Sequence, residues 1–458
     1  MSPFHIRGVV EGFYGVFYTA PEREDLIRFI GQHGYNFYLY GPKNDRQHRA
    51  RWREPYPAKT IEQFKRTVAT AHEVGVTFGF SLSPGVSMCY ASDEDFDAIT
   101  CKYRTFYDVG VRAFSILLDD ITPEFQHEAD DKRYKSYAEA HADLCNRLYQ
   151  WLKRLDADCT LSMCPTDYHG SAPFSSYIHE LGMKLHPDID IFYTGRAICS
   201  TTISSADAEA FAKAVQRPPL IWDNCPVNDL AMQSELHIGP IRGRDPSLHK
   251  TIKGVLINPM IQAEASKIPL LTYADYLAQP ENYDPEVSWD KSLQVVGGEE
   301  SASALRLLAE NSLHSCLGTP DAEKLESLVN AVLTSLLQGY CVHDNPEVDA
   351  LDAYFNELDE ATYHLKFRME NLGLRNNLLP WIELLEHWLW MGRRALIVLR
   401  AIESGDSYQQ PLHMMTENLE DAQKHHKRIA GKVLLPLAQY VWQQIGQQQK
   451  VAQDGIGI

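Results

Sequence analysis

Over roughly the first 285 residues, short runs of apolar, β-branched and aromatic residues alternate with longer stretches where apolar positions recur every three or four residues. The short runs predict strands at VVEGFY (9–14), NFYLYGPK (36–43), VTFGFSLSP (76–84), AFSILLDD (113–120), TLSMCPTDY (160–168), DIFYTG (190–195), PLIWDN (219–224) and GVLINP (254–259). Between them lie helical patterns such as PEREDLIRFIGQHG (21–34), TIEQFKRTVATAHEVG (60–75) and SYAEAHADLCNRLYQWLKRL (136–155), the first two stopping at Gly. Strands alternating with helices imply a parallel sheet covered by helices. Eight of them point to an α/β fold of the closed (β/α)8 TIM-barrel type. Residues 225–252 break the rhythm, because no clean seventh helix can be read there.

After about residue 297 the strand-like runs stop. Long amphipathic patterns predict helices at 322–340, 351–373, 380–404 and 418–446, an all-α helical bundle following the barrel. The change of pattern divides the chain into a barrel at 1–285 and a helical domain at 286–458, with GGEESAS (297–303) as the junction. The stretch WIELLEHWLWMGRRALIVLR, with Trp381, Trp388 and Trp390, reads chiefly as core; its apolar excess also offers a surface for a homo-oligomer through the helical domain.

Composition narrows the partners. With 44% hydrophobic and 23% charged residues the chain is ordinary globular material, but its formal net charge is −18. Phosphate binding needs a basic surface, so neither nucleic acid nor an anionic membrane is expected as a partner. The opening MSPFHIRGVVEGFYG has no basic segment followed by an apolar core, so no signal peptide is expected, and no apolar run reaches the ~18 residues of a membrane span. Nine cysteines are scattered without CxxC pairs or zinc spacing, which suits reduced thiols of a cytoplasmic protein.

The chemistry gathers at the predicted strand ends, where a barrel's βα loops carry polar groups on a rigid frame. In AFSILLDDITPEF an apolar strand runs straight into Asp119 and Asp120, two like charges that folding alone does not ask for. The pair admits several readings: a helix N-cap or solvated turn, a Mg2+ or Ca2+ site, or the carboxyl groups of glycoside hydrolysis. At the other strand ends stand Lys43, Asp45, Tyr168, Trp222, Asn224, Asp229 and Asn258. An aromatic wall with amides, carboxylates and an ammonium suits a sugar ring and its hydroxyls. Blander readings stand beside this: Trp222 as core, Tyr168 as a capped strand end, Asn258-Pro259 as a turn, Lys43 and Arg53 in surface pairs with Asp45 and Glu54, and His48 as a packed loop residue. Sequence neighbours have Cα atoms only ~3.8 Å apart. Two adjacent carboxyls therefore fit a mechanism with a substrate-borne nucleophile more easily than two carboxyls flanking the scissile bond.

The segments RGVVEGFYG, YLYGPKNDRQHRARWREPYP, LLDDI, CPTDYHG, PLIWDNCPVND and INP resemble, in order, the signatures of glycoside hydrolase family 84, the O-GlcNAcases and related β-N-acetylglucosaminidases. The match runs from Gly8 to about Asn258. The resemblance implies a retaining, substrate-assisted exo-β-N-acetylglucosaminidase working through an oxazoline, with no metal and no organic cofactor. It implies Asp119 polarising the 2-acetamido group, Asp120 as general acid and then base, and Tyr168 on the acetamide oxygen. Asn224 would contact the acetamido region and Trp222 would wall the sugar pocket. Lys43 and the Gly8 carbonyl would hold hydroxyls, with Asp229 on O4 and O6 and Asn258 on a further hydroxyl. The substrate would be GlcNAc-bearing glycopeptides, proteins or other glycosides. A hexosaminidase of oligosaccharide or cell-wall GlcNAc, and a barrel that binds GlcNAc without cleaving it, are the alternatives. Val16-Phe17-Tyr18, where many relatives carry Pro-Trp, and the Cys225-Pro226 insertion depart from the pattern at the rim.

Overall fold

The computed structural model describes residues 2–454. Eight parallel strands close in chain order: β1 (Ile6–Glu11), β2 (Phe37–Tyr40), β3 (Thr77–Leu82), β4 (Ala113–Leu117), β5 (Thr160–Cys164), β6 (Asp190–Tyr193), β7 (Leu220–Asp223) and β8 (Gly254–Ile257). β1 pairs with β2 on one side and β8 on the other, so the barrel has no free edge. The expected (β/α)8 fold with a following helical region is what the chain adopts. β4, β7 and β8 are buried at every position, which is why they read as largely apolar runs rather than alternating ones. β4 ends at Leu117, leaving Asp119 and Asp120 in the following loop.

The helices between the strands are α1 (Ala20–Gln32), α2 (Ala58–Glu73), α3 (Asp93–Asp108), α4 (Glu128–Arg133), α5 (Tyr137–Leu155), α6 (Ser176–Lys184) and α7 (Ser205–Val215), with α8 (Ala263–Ala278) and α9 (Pro285–Gly297) after β8. Side-chain caps start most of them: Thr19 with Glu22 forms a capping box on α1, and Ser92, Ser136, Ser175 and Ser204 cap α3, α5, α6 and α7. Between β7 and β8 there is no α-helix, only 3-10 turns at Leu230–Met232 and Leu248–Lys250. Arg244 holds that segment down. It donates to both carboxylate oxygens of buried Asp223 at 2.8 and 2.6 Å, and to the carbonyls of Thr201 and Arg242 at 3.0 and 2.9 Å.

The chain forms two compact units: the residues up to Leu230 with Pro240–Trp289, and Ala231–Gly239 with Asp290 onward. The boundary therefore runs through α9, and GGEESAS marks the end of that helix rather than a junction. The helical unit contains α10 (Ala302–Glu310), α11 (Glu323–Leu337), α12 (Pro346–Phe367), α13 (Leu372–Ser404), α14 (Gln409–Lys424) and α15 (Gly431–Asp454). Two expectations change here. α13 begins at a cap from Asn371 and runs through Pro380 instead of starting at it. The single helix expected at 418–446 is two, because Ala430 adopts φ +41° and Gly431 lies against Trp388, where a Cβ would come within 2.5 Å of the indole. Trp381 and Trp388 are core, whereas Trp390 and Ile397 are exposed. No helix among the described residues is long and apolar enough to cross a membrane.

Candidate active site

At the C-terminal ends of the strands the barrel interior changes from a packed core to polar groups. The top of that core consists of Val10, Leu39, Leu117, Cys164, Phe192, Leu220 and Leu256, with Tyr168 and Trp222 above them. Trp222 meets Phe192 edge to face at 5.4 Å and lies directly on Gly12, where a Cβ would come 2.2 Å from the ring. Gly12 is thus the one residue type that lets the end of β1 approach the indole so closely.

Asp119 is buried, with 6% of its surface accessible. Its Oδ2 pairs with the ammonium of Lys43, also buried, while its Oδ1 is buried and meets no hydrogen-bond partner among the described residues. Burial by itself would lower the Lys43 pKa, yet Asp119 and then Asp120 raise it above the usual lysine value, so the ammonium stays charged. Lys43 also sits 5.9 Å over the Trp222 ring. This site is a salt-bridged carboxylate with one acceptor left over. It is neither a solvated turn nor a surface pair. Arg53 pairs instead with Asp95 and Glu54 with Arg51. Asp45 accepts from the hydroxyls of Tyr40 and Tyr56 at 2.7 and 2.6 Å and belongs to the wall.

Asp120 has the opposite surroundings. It is exposed, and its φ of +51° is left-handed. Successive side chains of an extended segment point to opposite faces; the left-handed turn at Asp120 breaks that alternation, and both carboxylates act on the Lys43 ammonium. Oδ1 accepts from the Tyr168 hydroxyl at 2.9 Å and Oδ2 from the Tyr14 hydroxyl at 2.8 Å. Partial burial would raise this carboxyl. The Lys43 charge, the two tyrosine hydroxyls and Arg49 outweigh that and hold it below the usual carboxylate range. The same environment pushes the Tyr14 phenol up to about 12, through burial and the neighbouring Asp120, against the pull of Lys43.

The remaining polar groups form one network across β1, β7 and β8. Trp222 Nε1 and Asn258 Nδ2 both donate to Asn224 Oδ1, at 2.8 and 2.9 Å, and Asn224 Nδ2 donates to the Ile198 carbonyl at 2.9 Å. Asn258 Oδ1 accepts from the Gly12 amide at 3.2 Å, and Asp229 Oδ2 from the Tyr14 amide at 2.7 Å. Burial raises the Asp229 carboxyl, only partly offset by that amide. The structure brings together Lys43, Asp119, Asp120, Tyr168, Trp222, Asn224, Asp229 and Asn258. It does not bring Gly8. Gly8 sits in mid-strand, level with Phe37 and Leu256, where a Cβ would come 2.4 Å from the Leu256 side chain and 2.8 Å from the Phe37 carbonyl. It is a packing glycine, four residues or roughly 13 Å of strand below the face; Gly12 occupies the place expected for it. His48 is packed, as expected, with Nε2 2.9 Å from Ser81 Oγ. Tyr14 and Arg49 were not singled out from the sequence. Only the position of Tyr14 in EGFYG, at a strand end, hinted at it, and Arg49 was lost among the charges of RQHRARW.

The family model for β-N-acetylglucosaminidase matches residues 7–310. The protein O-GlcNAcases of Rattus norvegicus and Mus musculus are each 32% identical over 309 residues, 66% of this chain and 33% of theirs. The chain thus spans about a third of the length of those curated relatives. Among solved structures, a variant of the Thermobaculum terrenum O-GlcNAc hydrolase superposes with a TM-score of 0.91 at 31% identity, covering 98% of this chain and 97% of that one. CpGH84B superposes with a TM-score of 0.83 at 30% identity, covering 96% and 77%. With the whole barrel matched and the strand-end residues gathered on one face, the chain belongs to glycoside hydrolase family 84, the family of the β-N-acetylglucosaminidases.

Proposed function

We propose that this chain is a retaining exo-β-N-acetylglucosaminidase that removes terminal β-linked GlcNAc, using the substrate's own 2-acetamido oxygen as nucleophile. The observation that carries this reading is the Asp119 carboxylate, with one oxygen held by Lys43 and the other buried without a partner. A buried acceptor asks for a donor, and the N–H of a 2-acetamido group is a donor that also turns the amide oxygen toward the anomeric carbon. Asp119 draws on that N–H as the oxygen attacks, and an oxazoline forms. Asp120, exposed at the mouth, protonates the leaving oxygen and then takes a proton from the water that opens the oxazoline. Carboxyls on adjacent residues do not flank the bond as a protein nucleophile and its acid would.

In this reading the Tyr168 hydroxyl moves from Asp120 to the acetamide oxygen, and Trp222 over Gly12 forms the wall under the ring. Asn224 faces the acetamido side. Lys43, Asp229 and Asn258 take hydroxyls. No step needs a metal or an organic cofactor. The relatives known as O-GlcNAcases support GlcNAc on serine or threonine of proteins as the substrate.

The test is a series of aryl β-GlcNAc glycosides of graded leaving-group pKa. Asp119→Asn is expected to be slow on all of them, by about 10^2 to 10^3. Asp120→Asn should approach wild type on the best leaving groups and lag by about 10^2 to 10^4 on the poorest. A uniform loss in both variants would remove the division of roles, and a wild type that binds GlcNAc without turnover would make the barrel a lectin. Faster cleavage of an O-GlcNAc peptide than of chitobiose supports the protein substrate, and the reverse order supports a glycan.

A further inference from the structure

Arg49 has no role in the chemistry described above, yet it reaches the acid/base residue once directly and once through Tyr14. It lies in the loop after β2. Its Nη1 donates to the Tyr14 hydroxyl oxygen at 2.7 Å, and its Nη2 donates to the main-chain carbonyl of Asp120 at 3.1 Å. Its guanidinium carbon stands 5.3 Å from the centre of the Tyr14 ring. Tyr14 is fixed at its other end by its amide on Asp229. A phenol has a single hydrogen to give. Because Arg49 can only donate, it takes the oxygen lone pair of Tyr14, and the phenolic hydrogen is left to point at Asp120 Oδ2. Without Arg49 the hydroxyl could turn and accept from a protonated Asp120 instead. The second contact bears on the backbone, since it holds the carbonyl of the very residue whose φ is +51°.

We propose that Arg49 is a positioning residue for Asp120: it fixes Tyr14 as a donor and so biases the carboxyl toward its charged, proton-accepting form. The proposal rests on the reading of Asp120 as the acid/base group. Other groups face that carboxyl from the surrounding loops. Lys43 after β2 and Tyr168 after β5 favour the charged form, and Asp119 beside it and Asp229 after β7 oppose it. Arg49 therefore acts on Asp120 in two ways, by its charge through space and by fixing the Tyr14 hydroxyl, and only the second is lost when Tyr14 is replaced.

The experiment is a carbon-13 NMR titration of the aspartate-labelled 458-residue chain, with the Asp120 resonance assigned by its loss in Asp120→Asn. Arg49→Gln is expected to raise the Asp120 midpoint by about 0.5–1 pH unit. Arg49→Lys, a donor without the planar fork, should recover part of that. On a Tyr14→Phe background, Arg49→Gln should move the midpoint by clearly less than it does in wild type, because only the through-space part of its effect remains. The basic limb of kcat/KM on an aryl GlcNAc glycoside should move up with the midpoint, with kcat changed more than KM. An unmoved midpoint in Arg49→Gln overturns the proposal. So does an equal shift with Tyr14 replaced, because the guanidinium would then act through space. If Arg49→Gln fails to fold by circular dichroism, Arg49→Lys carries the same test with a smaller shift in the same direction. If the midpoint responds as expected while wild type turns over no glycoside, the relay stands and the glycosidase reading falls.

Discussion

Asp119 and Asp120 are neighbours in the chain and strangers in environment. One is buried against Lys43, 76 positions earlier; the other is exposed between two tyrosine hydroxyls, one of them 106 positions away. This asymmetry has a kinetic consequence. In the proposed mechanism Asp120 must be protonated to act on a poor leaving group, and in the free protein its partners hold it below the usual carboxylate range. The acid form is therefore lost early as pH rises. In the complex, a sugar that draws Tyr168 to its amide and excludes water removes one stabilising donor and desolvates the carboxylate, and both effects raise its pKa. The basic limb of kcat, which reports the complex, is expected at higher pH than that of kcat/KM by about one unit, measured on an aryl glycoside with a poor leaving group. Coincident limbs would mean that Tyr168 stays on Asp120 throughout. The pair itself was legible in AFSILLDD, because two charges closing an apolar strand are visible locally. The contrast between their environments was not, since each carboxyl takes its character from groups distant in the chain, and separate roles came only as what the family resemblance implies. The two glycines of RGVVEG show the same limit: spacing treats Gly8 and Gly12 alike, and only packing reveals that Gly12 lies under Trp222.

At the level of elements, the barrel tolerates one irregular connection because ion pairing substitutes for a helix. Asp223 ends β7 between Trp222 and Asn224, and its carboxylate, about 1% exposed, receives both arms of Arg244 and the Tyr273 hydroxyl. Arg244→Met would leave that charge buried without its partner, and the expected loss is about 3–5 kcal/mol of unfolding free energy in a urea titration. Replacing Asp223 and Arg244 together by apolar residues should restore most of it, since the cost lies in the lone buried charge. A loss below about 1 kcal/mol would show that the segment is held by other contacts. The missing helix was readable, because residues 225–252 lack amphipathic period. What replaces it was not, because nothing in the local pattern pairs Arg244 with Asp223. The break at 425–430 escaped for a similar reason: the helical period continues through it, and the left-handed Ala430 and the close approach of Gly431 to Trp388 are properties of the packed bundle.

For the molecule as a whole, a net charge of −18 sets a field that any charged aglycone must cross. An O-GlcNAc peptide with basic flanks should show a higher kcat/KM than one with acidic flanks, several-fold up to about tenfold at ~10 mM salt, where the Debye length is about 30 Å. The two rates should converge toward 1 M salt, where that length is about 3 Å. A ratio that ignores salt would place the preference in direct contacts at the rim instead. Across the chain, the element types, the eight-stranded barrel with its helical remainder and most of the strand-end set could be read from the order of the residues; Gly8 lies below the face, and Asp45 belongs to the wall. Hydrophobic period and turn chemistry act between near neighbours, so they are written along the chain. Packing settled which carboxylate is buried, that Tyr14 and Arg49 complete the setting of Asp120, that Gly12 rather than Gly8 meets the indole, and that residues 231–239 group with the helices. Those outcomes depend on desolvation, hydrogen bonding and close packing between groups far apart in sequence, and such forces exist only once the fold has brought them together.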